Sequence, residues 1–306
     1  MLKGKALTLE STIGIIAPAA PDDKSKIDKQ IAKFEKLGFN IKLSNHIYDR
    51  YGHLAGYDKD RAEDLMDMFK DDSIDGIVCL RGGYGSSRMI PYIDKNIIKD
   101  NPKFFCGFSD ITLLLNYFAN LGLISFHGPM ITSDFNDDIT RDFFLNISSY
   151  NKSNFSYDLL NLNPNISTYN LSSFKGKIVG GNLSLICSSI ATEYEVDTKD
   201  SILLIEEVNE APYSIDRMLT HLIDSGKLKE CNAIIIGHLT DCTLKNYNKS
   251  MTTEEVLLNK LIPLNIPLII GMPFGHSYPN VTIPIGVNAY FDDSTMKLTI
   301  KDNFLI

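Results

Sequence analysis

The apolar positions fall into two rhythms that alternate along most of the chain. Thr12-Ile13-Gly14-Ile15-Ile16-Ala17 is a β-branched run that reads as a strand, closed by a turn from Pro18 to Pro21. Ile27, Ile31, Phe34 and Leu37 then recur at helical spacing, and Gly38 supplies a C-cap. Asn40 to Leu43 reads as the next strand, Asp60 to Lys70 as a helix, and Gly76-Ile77-Val78-Cys79-Leu80 as a buried strand. That strand runs into a glycine-rich turn, Arg81-Gly82-Gly83-Tyr84-Gly85-Ser86-Ser87. Phe104-Phe105-Cys106-Gly107 is another strand and Ile111 to Phe118 another helix. Strands that are apolar on both faces, alternating with helices, predict an α/β fold with a parallel sheet covered on both sides.

Between Tyr150 and Ser173 the texture changes. Asn, Ser and Tyr dominate, periodicity fades and Pro164 interrupts, so residues 151–173 are expected to be a linker between a domain spanning 1–150 and a second spanning 174–306. Alternation resumes with helices at Leu183 to Ala191, Ile215 to Ser225 and Thr253 to Leu261. Strands are expected at Ile202 to Ile205, Ala233 to Ile236 and Leu268 to Gly271. The tail reads as strands only: Val281 to Pro284, Val287 to Phe291 and Met296 to Ile300, the last two a hairpin across Asp292-Asp293-Ser294.

Composition narrows the function classes. A chain of 306 residues with 44% hydrophobic and 22% charged residues has material for large cores. Its net charge of −8 argues against a nucleic-acid surface, which needs clustered Lys and Arg. Apolar runs such as Ala233 to Gly237 are strand-sized rather than membrane-spanning, and Met1 to Lys5 lacks the apolar stretch of a signal peptide, so a cytoplasmic location is expected. The five cysteines are scattered without a C-x-x-C pair, as buried apolar residues would be, and indicate neither a disulfide framework nor a zinc site.

Candidate chemistry clusters at strand ends. Gly107-Phe108-Ser109-Asp110 lies where a strand gives way to a helix, the setting of a nucleophile elbow, where free helix N-terminal amides suit a developing oxyanion. Ile111 stands where the G-x-S-x-G pattern has its second glycine, and a serine at such a place is more often a simple helix cap. Of the six histidines, His276 in Gly271-Met272-Pro273-Phe274-Gly275-His276-Ser277 and His127 before Gly128-Pro129 both follow apolar strands, and local sequence leaves the choice of base between them open. Glu206 and Glu207 follow the strand Ile202 to Ile205. On extended backbone they must point opposite ways, so at most one serves a site, and a solvated acidic loop is the plainer alternative. The turn at Arg81 to Gly85 could offer amides to an oxyanion or a phosphate but matches neither P-loop nor dinucleotide fingerprint, and Lys177 to Asn182 is equally ambiguous.

Taken in order, these stretches resemble the LD-carboxypeptidase family, which includes muramoyl-tetrapeptide carboxypeptidases and microcin-immunity hydrolases. The resemblance is carried by Gly14 to Ala19, Arg81 to Gly85, Gly107 to Asp110, Phe126 to Pro129, Gly180 to Leu183, Leu204 to Glu207, Asp216 to Leu219 and Gly275-His276. It implies an N-terminal Rossmann-like domain, a smaller C-terminal α/β domain with a strand-rich end, and usually homodimers. By position it implies Ser109 as nucleophile, His276 as base, Glu206 as the carboxylate orienting it, and the backbone amides of Gly83 and Asp110 as oxyanion hole. His127 then becomes structural or peripheral. The family commonly has Glu-Asp where this chain has Glu206-Glu207, a departure that leaves the first acid in place. The implied activity is release of a C-terminal D-amino acid from a murein tetrapeptide, with no metal or organic cofactor and with Arg81 a possible partner for the substrate carboxylate. Aminoacyl-nucleotide hydrolysis by the microcin-immunity branch is a rival. That branch tends to use tryptophan in recognition, and this chain has none. A non-catalytic ligand-binding α/β protein is the alternative from another class.

Overall fold

The computed structural model describes residues 1–244 and 249–306. They form two compact units, one made of Met1–Lys152, Val281–Gly286 and Asn303–Ile306, the other of Ser153–Asn280 and Val287–Asp302. Strands in chain order are β1 Thr12–Ile16, β2 Asn40–Leu43, β3 Gly76–Cys79, β4 Phe104–Gly107, β5 Ser125–His127, β6 Phe155–Asp158 and β7 Ser167–Tyr169. They continue with β8 Phe174–Asn182, β9 Ser201–Val208, β10 Ala233–Thr240, β11 Leu268–Ile270, β12 Ile283–Ile285, β13 Asn288–Asp292 and β14 Lys297–Ile300.

The first unit is built on a six-stranded sheet of order β12-β5-β4-β3-β1-β2, parallel apart from β12, which runs antiparallel to β5. β3 and β4 are buried at every position, as their uninterrupted apolar sequence demands when helices cover both faces. The helix Lys24–Phe34 buries Ile27, Ile31 and Phe34 while its lysines face water, and Gly38 closes the following 3-10 turn at φ +102°. Aromatic rings fill the space under the sheet: Phe104 stacks on Phe126 at 4.4 Å, and Phe144 packs edge-on to Phe104 and Phe34. Such pairs add about 0.5–1.5 kcal/mol each to the burial of the rings. The chain leaves β1 for β2 on one side and returns to β3 on the other, so the sheet reverses direction between β1 and β3. In open α/β sheets the crevice at that reversal, at the carboxyl ends of the strands, is where ligands bind.

The second unit carries an eight-stranded sheet of order β6-β14-β13-β8-β9-β10-β11-β7. β8 to β11 are parallel, with antiparallel strands on either side. Ile215, Leu219 and Leu222 form the buried stripe of the helix Pro212–Asp224 and join Leu203, Ile205, Ile234 and Ile236 in one core. β13 and β14 form the hairpin expected across Asp292 to Ser294.

Two segments lie differently from what composition suggests. Within 151–173, Phe155 and Tyr157 are buried while Ser156 is exposed, so β6 is an alternating strand whose pattern is masked by Asn and Ser. It pairs with β14, and β7 pairs with β11. β12, in the strand-only tail, belongs to the first unit, where it occupies the edge of β5 and buries Ile283 and Ile285 completely. No helix among the described residues is long and apolar enough to cross a membrane.

Candidate active site

Within the first unit three loops leave the carboxyl ends of β1, β3 and β4, two of which flank the sheet's reversal point. Ser109 begins a 3-10 turn immediately after β4 and Phe108, ahead of the helix Thr112–Asn120, and its backbone is held at φ +64°. Left-handed backbone at a residue with a Cβ costs about 1–2 kcal/mol. A cap serine would sit in extended conformation, so Ser109 is not the helix cap. The missing second glycine of the elbow pattern is explained by Gly107: a Cβ there would lie 2.8 Å from Ile111 Cγ2, so Gly107 takes the close approach that Ile111 creates. The glycine loop after β3 presses on the elbow, since a Cβ on Gly82 would sit 2.7 Å from Ser109 Cβ and 2.8 Å from its Oγ.

Asp110 is buried at 1% exposure, and burial pushes its carboxyl above the usual range, opposed by hydrogen bonds from Ser86 and Gly85 and by the charge of Arg61. The Ser86 amide donates to Asp110 Oδ2 at 2.8 Å, and Ser86 Oγ donates to the Asp110 carbonyl at 2.7 Å. Arg81 is partly exposed and paired within its own unit, with Asp22 at 3.3 Å and the Pro21 carbonyl at 3.4 Å. His127 is fully buried in β5 between β4 and β12, with its ring 5.8 Å from Phe108.

Within the second unit, β9 carries both acids to opposite sides, and neither is solvated: Glu206 is 0% and Glu207 2% exposed. Glu206 Oε2 accepts from His276 Nδ1 at 2.6 Å. Burial pushes the Glu206 carboxyl above its ordinary value, hydrogen bonds from His276 and Asn182 oppose this, and the Glu207 charge adds to the rise. Glu207 serves the start of the helix Leu183–Ser189. It accepts from Asn182 Nδ2 at 2.7 Å, from the Ser184 amide at 2.8 Å, from Ser184 Oγ at 2.6 Å and from its neighbour's amide, Val208, at 2.9 Å. A carboxylate at a helix N-terminus is favoured there by the dipole and the free amides.

The loop that carries His276 is shaped by close approach. Gly275 sits at φ +112°, where a Cβ would lie 2.7 Å from Glu206 Oε2 and 2.9 Å from Glu206 Cβ. Its amide donates to Asn280 Oδ1 at 3.0 Å, and Ser277 Oγ pairs with Thr240 Oγ1 at 2.8 Å. His238, a further histidine at a strand end, has its Nε2 2.8 Å from the Pro279 carbonyl. Burial lowers its pKa, with the nearby His276 adding to the effect. A carboxylate on Nδ1 fixes the imidazole tautomer in which Nε2 accepts a proton, which is the arrangement of a general base.

The structure therefore joins Glu206 to His276 in one unit, and gathers Ser109, Gly83, Asp110 and Arg81 at the strand ends of the other. Sequence reasoning left Asn182 ambiguous and missed Ser184, both of which engage Glu207, and missed Arg61, whose buried guanidinium donates to the backbone of the glycine loop. Asn182 stood directly after Gly180-Gly181 as a readable N-cap. Arg61 carried no signal beyond lying three residues after Asp58 on a helix.

Residues 13–128 match the family described as LD-carboxypeptidase N-terminal domain, and residues 175–291 match LD-carboxypeptidase C-terminal domain. The chain is 37% identical over 304 residues to a probable murein peptide carboxypeptidase of Bacillus subtilis (strain 168), covering 98% of this chain and 94% of that protein. Its fold is similar to the structure of MccF in complex with glutamyl sulfamoyl guanosine, with TM-score 0.90, 25% identity and 100% of both chains covered. It is also similar to the muramoyltetrapeptide carboxypeptidase of Oxalobacter formigenes, with TM-score 0.85, 27% identity, and 97% of this chain and 100% of that one covered.

Proposed function

We propose that this chain, which belongs to the LD-carboxypeptidase family, is a serine carboxypeptidase that releases a C-terminal D-amino acid, D-alanine, from murein tetrapeptides. The observation that carries the reading is the buried Glu206 carboxylate on His276 Nδ1 at 2.6 Å, which holds an imidazole that stays partly exposed on a glycine-rich loop. Ser109, on its left-handed elbow, is the nucleophile.

In this reading Ser109 Oγ attacks the carbonyl carbon of the L-to-D peptide bond while His276 Nε2 takes the hydroxyl proton. Glu206 holds the tautomer and stabilises the imidazolium. The oxyanion that forms accepts from the amides of Gly83 and Asp110, each such donor being worth about 2.7–4 kcal/mol. Collapse breaks the C–N bond, and the imidazolium gives its proton to the departing amine. Water, deprotonated by the same histidine, then attacks the acyl-enzyme and returns Ser109 to its hydroxyl form. Arg81 is the cation offered to the carboxylate of the leaving residue, in competition with Asp22.

The test is Ser109→Ala, assayed by D-alanine release from a murein tetrapeptide alongside fluorophosphonate labelling of the unaltered enzyme. Turnover should vanish in the variant while thermal stability holds or rises, because alanine removes the hydroxyl and leaves the fold unchanged. Label should attach at Ser109. Retained turnover in the variant removes the serine mechanism. The TM-score of 0.90 to MccF supports a second reading, hydrolysis of an aminoacyl-nucleotide analogue. The same purified enzyme offered both substrates decides between them.

A further inference from the structure

We infer that Arg61 is a positioning residue for the oxyanion donors, an inference that rests on the reading of Gly83 and Asp110 above. Arg61 lies in the helix Asp58–Lys70 at 2% exposure. Taking a guanidinium out of water costs several kcal/mol unless it is paired and hydrogen-bonded; among the described residues Nη1 and Nη2 find partners and Nε does not, so the two terminal nitrogens show what the position is for. Nη1 donates to the Pro18 carbonyl, in the loop after β1, and to the Gly85 carbonyl, in the loop after β3, at 2.9 Å. Nη2 donates to Asp58, which Arg88 holds from its other side through two nitrogens at 3.0 and 2.9 Å. One rigid planar cation thus ties together the two loops that flank the reversal point of the sheet. A lysine cannot reproduce that fork.

The link from Arg61 to the amides is short. The Gly85 carbonyl and the Ser86 N–H belong to one planar peptide unit. Arg61 holds the carbonyl end at 2.9 Å, and the Asp110 carboxylate accepts from the N–H end at 2.8 Å. Ser86 Oγ then donates to the Asp110 carbonyl at 2.7 Å, so the residue whose own amide serves the oxyanion is fixed at both side chain and backbone. On the other side, the Pro18 carbonyl precedes Ala19 and Ala20. The Ala20 amide donates to the Gly82 carbonyl at 3.4 Å, whose peptide partner is the Gly83 N–H. A Cβ on Gly83 would meet Ala20 Cβ at 2.4 Å, so the two loops are in close contact along this stretch. Arg61 therefore connects to both oxyanion donors by short relays: to Asp110 through the Gly85–Ser86 peptide and the Ser86 hydroxyl, and to Gly83 through the Pro18–Ala20 segment, whose Ala20 amide bonds the Gly82 carbonyl.

The experiment measures kcat and KM for D-alanine release from a murein tetrapeptide with full-length Arg61→Lys and Arg61→Ala, each checked by circular dichroism and thermal melting. Also measured are affinity for a peptide boronic acid that mimics the tetrahedral state, rescue of Arg61→Ala by millimolar guanidinium, and Ser109→Ala in parallel. The expected result for Arg61→Lys is a kcat lowered about ten- to hundredfold with KM within about threefold, the pattern of an interaction made in the transition state. Boronate affinity should fall in the same proportion, and guanidinium should restore part of the kcat of Arg61→Ala without shifting its melting temperature. If Arg61→Ala does not fold, Arg61→Lys decides. A folded Arg61→Lys with unaltered kcat and boronate affinity, or one whose losses fall on KM alone, overturns the inference. Turnover by Ser109→Ala would instead overturn the underlying serine mechanism, so the two failures are separable.

Discussion

Replacing Glu206 by Gln removes one negative charge and almost no volume from a position with 0% exposure. The consequences for activity and for stability should have opposite signs. For activity, the amide cannot stabilise the imidazolium, and it can offer its NH2 group to Nδ1, turning the ring to the tautomer in which Nε2 carries the proton and cannot accept one. The equivalent loss in serine hydrolases of this type is about 10⁴ in kcat, close to 5.4 kcal/mol of barrier. For stability, the hydrogen bond from His276 at 2.6 Å is weakened, a loss of about 1.5–3 kcal/mol for a bond to a charged group. Against that, the fold no longer has to bury a carboxylate, which costs several kcal/mol in an apolar setting. Burial dominates, because the Glu206 carboxyl is held above its ordinary value of 4.5. A carboxyl raised by folding contributes stability below its unfolded value, and that contribution is lost as pH rises through the folded value. The wild-type protein should therefore lose stability through this group as pH rises above its ordinary value of 4.5, and Glu206→Gln should not. Calorimetric melting from pH 4 to 8, with D-alanine release assayed on the same preparations, tests both halves. A variant that keeps kcat within tenfold refutes the role given to Glu206. A variant less stable than wild type at pH 8 by more than about 3 kcal/mol, the full worth of the lost bond, refutes the account of its burial.

Gly275→Ala should lower kcat about 100-fold, the scale of a 1 Å misplacement of a catalytic group, because the new Cβ would lie 2.7 Å from Glu206 Oε2. The left-handed backbone at φ +112° adds about 1–2 kcal/mol of destabilisation, so wild-type kcat in a folded Gly275→Ala would contradict the packing described here. The cysteines should be bystanders. Burial pushes the Cys187 and Cys231 thiols up to about 12 and Cys242 up to about 11, far from the thiolate form at neutral pH. Iodoacetamide at pH 7 should leave activity intact, and inactivation in step with thiol loss would count against a serine nucleophile.

What the sequence by itself determined was local in origin. Uninterrupted apolar runs at β3, β4 and β9 specified buried parallel strands, and the three-and-four spacing of Ile27, Ile31 and Phe34 specified the face of a helix, because side-chain period and burial are the same fact seen twice. Parity along an extended strand also fixed that Glu206 and Glu207 diverge. Which of them meets a histidine was decided by tertiary structure, through a glycine loop that closes on Glu206 and a helix start that claims Glu207. His127 and His276, which the local sequence leaves alike, are likewise set apart by tertiary structure. β12 returns from far along the chain to cover the β5 edge and bury His127, whereas His276 remains partly exposed on its loop with Nδ1 held. Arg61 shows the limit most plainly. A charged residue on a helix belongs at the surface by every local rule, and only the convergence of two loop carbonyls and an aspartate, none of which a hydrophobic pattern can register, makes the interior its place.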